Sequence, residues 1–159
     1  MRLIQTLLKP EYVLLDLDAR SKDELFGEIA KHLAGPLALA SKDIAKSLHQ
    51  REQLGSTGLG QGVAIPHGRI KHLKQAAGVF VRTLAAVPYD APDNEPVRLL
   101  FVLLAPEHAT DLHLQILSEL AQLFSNRTLR ERLLHSRDIH HVVQLLTDQD
   151  DADHRTAPV

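Results

Sequence analysis

Ten histidines are spread through this chain of 159 residues, and the setting of one differs from the rest. His67 lies in Ile65-Pro66-His67-Gly68, just after the Gly-rich stretch GSTGLGQG that begins at Gly55. Pro66 fixes the backbone on one side of it and Gly68 frees it on the other, so one imidazole edge can stand open on a held backbone. An imidazole with an ordinary pKa of about 6.5 is largely neutral at pH 7 and keeps a ring-nitrogen lone pair, which makes it a nucleophile. If the electrophile is a phosphoryl group, the protein's work is positioning and neutralising charge on the equatorial oxygens, a task for arginine and backbone N–H groups. Arg51 and the loop Gly55, Ser56, Thr57 and Gly58 are the local suppliers. Two readings of each feature stand on the residues alone. His67 is a nucleophile or a structural turn histidine, and Arg-Glu-x-x-Gly-Ser-Thr-Gly is a phosphate cradle or a solvated helix end with a flexible turn.

Other chemistries fit less well. GLGQG leads into a strand pattern, whereas a dinucleotide fingerprint follows a strand and opens a helix. No Gly-Lys-Ser or Gly-Lys-Thr completes a Walker loop, so ATP is not expected. Ser56 lacks the Gly-x-Ser-x-Gly elbow of a hydrolase. His140 and His141 are adjacent on a predicted helix and point about a hundred degrees apart, which disfavours a shared metal. His108 and His113 span a loop-to-helix junction without ligand spacing. No cofactor and no metal are expected. A formal charge of -2, from 18 Lys and Arg against 20 Asp and Glu, offers no broad basic field for nucleic acid. Cysteine is absent, which excludes disulfides and thiolate metal sites and suits a cytoplasmic address. The first residues, MRLIQTLLKPEYVLL, do not read as a signal peptide, and no apolar run reaches the roughly 18 residues of a membrane helix, so no direct membrane insertion is expected.

The elements around His67 follow from periodicity. Ser21 and Glu24 sit at capping-box spacing before Leu25, Phe26, Ile29 and Leu33, a helix expected to close at Gly35-Pro36. A second helix from Ser41, with Ile44, Ala45 and Leu48 inward, delivers Arg51 near its end. GSTGLGQG reads as a loop, Val63-Ala64-Ile65 as a short buried strand, and Pro66 as its end, which puts His67 at a strand terminus. Gly78 to Leu84 and Leu99 to Leu104 are strands joined by the turn-rich YDAPDNEP. Leu114, Leu117, Leu120, Ala121 and Phe124 mark a helix after Pro106 with Asp111 near its start and His113 in its first turn. Short helices are expected around Leu129 to Leu134 and Ile139 to Leu146. The 44% hydrophobic content suits one domain with one core, over 1–147. The polar segment 148–159 reads as a disordered tail. Interleaved helices and strands predict a layered α/β domain, with strand order unspecified.

REQLGSTGLGQGVAIPHG resembles the phosphorylation-site signature of the fructose/mannitol-type IIA domains of the phosphoenolpyruvate-dependent phosphotransferase system. DNEPVRLLFVLLAPEH and HLQILSELAQLF resemble the later strand and the His-bearing helix of that family, in the same order. The resemblance reaches to about Asp148 and implies a mixed β-sheet flanked by α-helices. It further implies that His67 is the phosphoryl acceptor, forming tele-phosphohistidine, that His113 flanks the phosphate, and that Arg51 orients the site and compensates charge. The implied donor is an HPr-like phosphocarrier. The wording GSTG-x-G-x-G-VAIPHGR is closest to the nitrogen-regulatory group, whose members act on regulatory target proteins, with potassium transport or sensor proteins as candidates. The alternatives are a sugar-specific IIA component that passes phosphate to a IIB domain, and an interaction module whose histidine never carries phosphate.

Overall fold

The computed structural model describes residues 2–108 and 111–148, apart from the side chains of residues 2 and 111–113. Two strands form the centre of the sheet. β5 (Ala77–Val87) and β6 (Val97–Pro106) run antiparallel with Phe80 opposite Phe101, and Leu99 to Leu104 are all buried, so both faces of β6 are covered. β1 (Leu8–Leu17) lies parallel on the outer edge of β5. On the free edge of β6 come two short strands in succession, both parallel to it. β3 (Val63–Ala64) sets Val63 opposite Leu99, and β4 (His67–Ile70) sets His67 opposite Leu103. Pro66, which has no N–H to give, separates them, while its carbonyl still accepts from the Leu103 N–H at 3.0 Å. β2 (Gly58–Gly60) ends the sheet as the antiparallel partner of β3, giving the order β1-β5-β6-β3-β2 with β4 also beside β6.

Around the sheet pack α1 (Arg2–Leu7), α2 (Lys22–Leu37), α3 (Ser41–Glu52), α4 (Asp111–Phe124), α5 (Arg127–His135) and α6 (Ile139–Thr147). The expected mixed sheet flanked by helices is the fold observed. In α2 the Ser21 hydroxyl accepts from Glu24 N–H at 3.1 Å, as the capping-box spacing predicts, and Leu25, Phe26, Ile29 and Leu33 are buried. The helix does not close at Gly35-Pro36. It runs on to Leu37 and ends where Ala38 turns left-handed (φ 54) and the N–H groups of Ala38 and Leu39 bond Gly35 O and Ala34 O. Pro36 is tolerated because its ring already holds a helical φ and only one ladder bond is lost in the last turn.

Other departures lie at the N-terminus and in the Gly-rich stretch. Neither α1 nor β1 is legible as an element, because exposed Lys9, Pro10 and Glu11 break the alternation and β1 depends on a partner strand some seventy residues away. GSTGLGQG is partly ordered as β2, and Gly60, Gln61 and Gly62, all at positive φ, turn the chain into β3. The side chain of His113 and residues 149–159 of the expected tail lie outside the described residues.

What places the chemistry is the contact of α3 with β4. A Cβ on Gly68 would stand 2.1 Å from Ser47 Oγ, so only glycine lets the helix come this close. Ser47 Oγ donates to Arg69 O at 2.9 Å and pins the contact. Arg51, one turn further along α3, is thereby carried to His67.

Candidate phosphoryl-acceptor site

His67 opens β4 and is half-buried. Its Nδ1 is 3.0 Å from Ile65 O, and since a carbonyl only accepts, Nδ1 carries the proton. Nε2 is therefore the basic nitrogen. It accepts from Arg51 Nε at 3.1 Å, and Arg51 Nη1 donates to Gly55 O at 2.8 Å. Burial holds the His67 pKa below its usual value; the hydrogen bond to Ile65 O opposes this, the Arg51 charge adds to it, and the Glu52 charge opposes it. The ring is neutral at pH 7 and nucleophilic at Nε2.

A cleft of about 430 Å³ surrounds this edge, lined by Ser47, Arg51, Leu54, His67, Arg69 and Leu114 among others. Leu54 and Leu114 are 83% and 67% exposed, an apolar rim beside two guanidinium groups. A larger cleft of about 540 Å³ lies between Tyr12, Leu37 and Lys74 and is also lined by His72; among the described residues no hydrogen bond joins His72 to a lysine or arginine there.

The structure brings His67 and Arg51 together. The backbone of His113 lies in the first turn of α4, and Leu114 and Leu117 bring that helix to the cleft. The GSTG loop, expected to cradle phosphate, has hydrogen-bond partners of its own. Gly55 N–H bonds Glu52 O, Thr57 N–H bonds the Glu52 carboxylate at 3.1 Å, and Gly58 N–H bonds Ser56 Oγ at 3.1 Å. Thr57 and Gly58 are buried and do not line the cleft. Three of the loop's four N–H groups are thus engaged within the protein, and Gly55 O holds Arg51 Nη1.

Three side chains at or behind the site were not singled out from sequence. Arg69 lines the cleft, and its place two residues after His67 on a strand is a signal that period-two reasoning could have used. Glu52, with its side chain 6% exposed, is paired with Lys22 Nζ at 2.8 Å and holds the loop through Thr57. Tyr89, in the segment read as a turn, is 1% exposed and reaches Thr57 Oγ1 at 2.8 Å, a contact no local pattern announces.

Among the described residues no group of three or more His, Asp or Glu is placed to hold a metal ion, and no helix is long and apolar enough to cross a membrane. A histidine at the start of a short strand beside β6 is thus faced by an arginine from a packed helix, on a mixed sheet flanked by α-helices. The chain belongs to the family described as phosphoenolpyruvate-dependent sugar phosphotransferase system, EIIA 2, whose model matches residues 6–149. Within it, the chain is similar to the nitrogen regulatory proteins of Bradyrhizobium diazoefficiens, 36% identical over 90% of this chain and 94% of the relative, and of Escherichia coli, 34% identical over 91% and 90%. Its fold matches the crystal structure of nitrogen regulatory protein IIA-Ntr from Neisseria meningitidis with a TM-score of 0.86 and 47% identity, over 91% of this chain and 99% of that one.

Proposed function

We propose that the chain is a nitrogen-regulatory IIA protein that takes a phosphoryl group on His67 Nε2 from an HPr-like phosphocarrier and acts on regulatory targets according to its phosphorylation state. The observation that carries this reading is the Nδ1–H bond to Ile65 O, which leaves Nε2 as the attacking atom beside Arg51. In the transfer, the Nε2 lone pair forms a P–N bond as the donor's P–N bond breaks, and the departing donor imidazole recovers that electron pair. His67 keeps its proton on Nδ1, donated in a hydrogen bond to Ile65 O, throughout. Arg51 Nε loses its acceptor when Nε2 is phosphorylated and turns to the phosphoryl oxygens, with Arg69 adding charge from the same cleft. The Leu54 and Leu114 rim offers the donor carrier an apolar seat around a polar centre.

A sugar-uptake role, with phosphate continuing to a IIB domain, has less support, because the nitrogen-regulatory relatives match over nine-tenths of their length. Labelling in a reconstituted chain of phosphoenolpyruvate, Enzyme I-type kinase and HPr-like carrier tests the reading. The expected product is acid-labile phosphate whose NMR signature places it on Nε2. Phosphate on Nδ1, or an acid-stable serine ester, would contradict it.

A further inference from the structure

We propose that Tyr89 is a positioning residue for phosphoryl transfer: its hydroxyl, joined to Thr57 and Glu52, holds the loop that aims Arg51 at His67. The inference rests on the acceptor reading above and extends it to a residue remote from the phosphorus. Thr57 hydroxyl bonds the Glu52 carboxylate, so its lone pairs are open to the Tyr89 O–H at 2.8 Å, and Glu52 Oε1 lies 3.3 Å from the same hydroxyl. Glu52 takes the Thr57 N–H and the Lys22 ammonium as well, and Lys22 Nζ also stands 4.3 Å above the Tyr89 ring. Phe26 meets the ring edge-on at 6.2 Å.

The neighbours of Tyr89 grip the same loop. Ser56 Oγ donates to Tyr89 O at 3.2 Å, a Cβ on Gly58 would meet Ala91 at 2.8 Å, and Asp93 accepts from Gln61 N–H at 2.9 Å. The segment between β5 and β6 is therefore a buttress laid along the Gly-rich loop. Gly55, two residues before Thr57, gives its carbonyl to Arg51 Nη1, and Arg51 Nε meets His67 Nε2. The direction of that carbonyl depends on where Thr57 is anchored. A loosened Thr57 leaves the guanidinium one fixed point instead of two, and misplacing a charge-stabilising donor slows transfer without weakening donor binding.

Tyr89→Phe in the full chain tests this, since the ring keeps its packing on Phe26 and Lys22 and only the hydroxyl is lost. Nitrogen-15 NMR of the Arg51 Nε–H and the His67 ring reports the geometry without any phosphate. The Arg51 signal is expected to move toward that of a solvated arginine, and the His67 pKa to rise toward its ordinary value as the nearby positive charge becomes less fixed. The maximal labelling rate by phosphorylated HPr-like carrier is expected to fall roughly tenfold with the half-saturating carrier concentration unchanged. Thr57→Val is expected to reproduce both changes, and the double variant to fall no further than the worse single one. Wild-type Arg51 and His67 signals in Tyr89→Phe, or a loss confined to carrier affinity, would overturn the proposal. If the wild-type protein takes no label, the acceptor reading fails, and the Arg51 signal still decides whether Tyr89 positions it.

Discussion

Two arginines, one on the sheet and one on α3, are held in opposite ways. Arg82 on β5 is locked: its side chain is 4% exposed, its Nε and Nη2 both reach Asp16 Oδ1 at 3.1 Å, and its Nη1 bonds the carbonyls of Leu133 and Ser136. Those partners tie β1, β5 and the C-terminal end of α5, and every one is an oxygen with no reaction to undergo. Arg51 is half-buried, holds one carbonyl and one ring nitrogen, and its Nη2 makes no hydrogen bond among the described residues. One guanidinium joins elements of the fold, and the other keeps donors in hand beside a nucleophile. Residue type does not separate them. The chemistry of the acceptors does.

The sharpest test of that contrast removes the nucleophile. His67→Ala should lose phosphate labelling completely while urea unfolding changes by no more than about 1 kcal/mol, because a half-exposed ring is deleted from a supported strand. Residual acid-labile phosphate at normal stoichiometry would move the acceptor elsewhere, with His113 the first position to examine.

Arg51→Ala should keep the acceptor and slow labelling by about a hundredfold, a transition-state loss of roughly 3 kcal/mol, with little change in unfolding. His113→Gln belongs to the same class, with labelling retained and transfer slowed. Arg82→Met should do the reverse. It leaves the Leu133 and Ser136 carbonyls without their donor and costs about 2–4 kcal/mol of stability in urea titration, while the labelling rate per folded molecule stays at the wild-type value. A rate loss in Arg82→Met without a stability loss would erase the distinction between the two arginines.

A smaller effect concerns pH. Burial lowers the His67 pKa below 6.5, so as pH falls through 6.5 the unfolded chain takes up a proton that the folded ring still refuses. The stabilisation His67 gains by remaining neutral is present above that pH, and folding stability at this site declines as pH drops from 6.5 toward the lowered folded value. The labelling rate should hold level through pH 6.5 and fall only below it. Arg51→Ala should shift that fall to higher pH, since the arginine's charge helps depress the titration; NMR titration of the ring checks both. The smallest effect is expected from truncation after Asp148, which should leave melting and labelling unchanged within about 0.5 kcal/mol, because the removed segment has too little apolar surface to join a core.

Much of this molecule is legible from periodicity. Leu25, Phe26, Ile29 and Leu33 mark α2, Leu99 to Leu104 mark β6, and Leu120 and Phe124 mark α4, since each pattern is local to its own element. The N-terminal elements were not legible, because β1 becomes a strand by pairing with β5 across a long sequence gap. Arg82 reads along the chain as one charge in an apolar strand, and only its meeting with Asp16 and Ser136 makes it a structural clamp. The Gly-rich loop was legible as a loop beside the site, but its anchoring was not: the Thr57 N–H meets Glu52, and the Thr57 hydroxyl meets Tyr89 from another segment.

The order Arg51, Gly55 to Gly62, Pro66, His67, Gly68 already sets an imidazole on a restricted backbone with an arginine nearby in the chain, because proline, glycine and imidazole carry those properties wherever they fold. Which ring nitrogen carries the proton is a matter of three dimensions. Ile65 O accepts the hydrogen bond from Nδ1–H, α3 settles onto Gly68 and carries Arg51 to Nε2, and the β5–β6 connection reaches back to brace the loop. Tautomer, hydrogen-bond direction and burial are properties of neighbours distant in the chain, so they exist only once the sheet has brought those neighbours together.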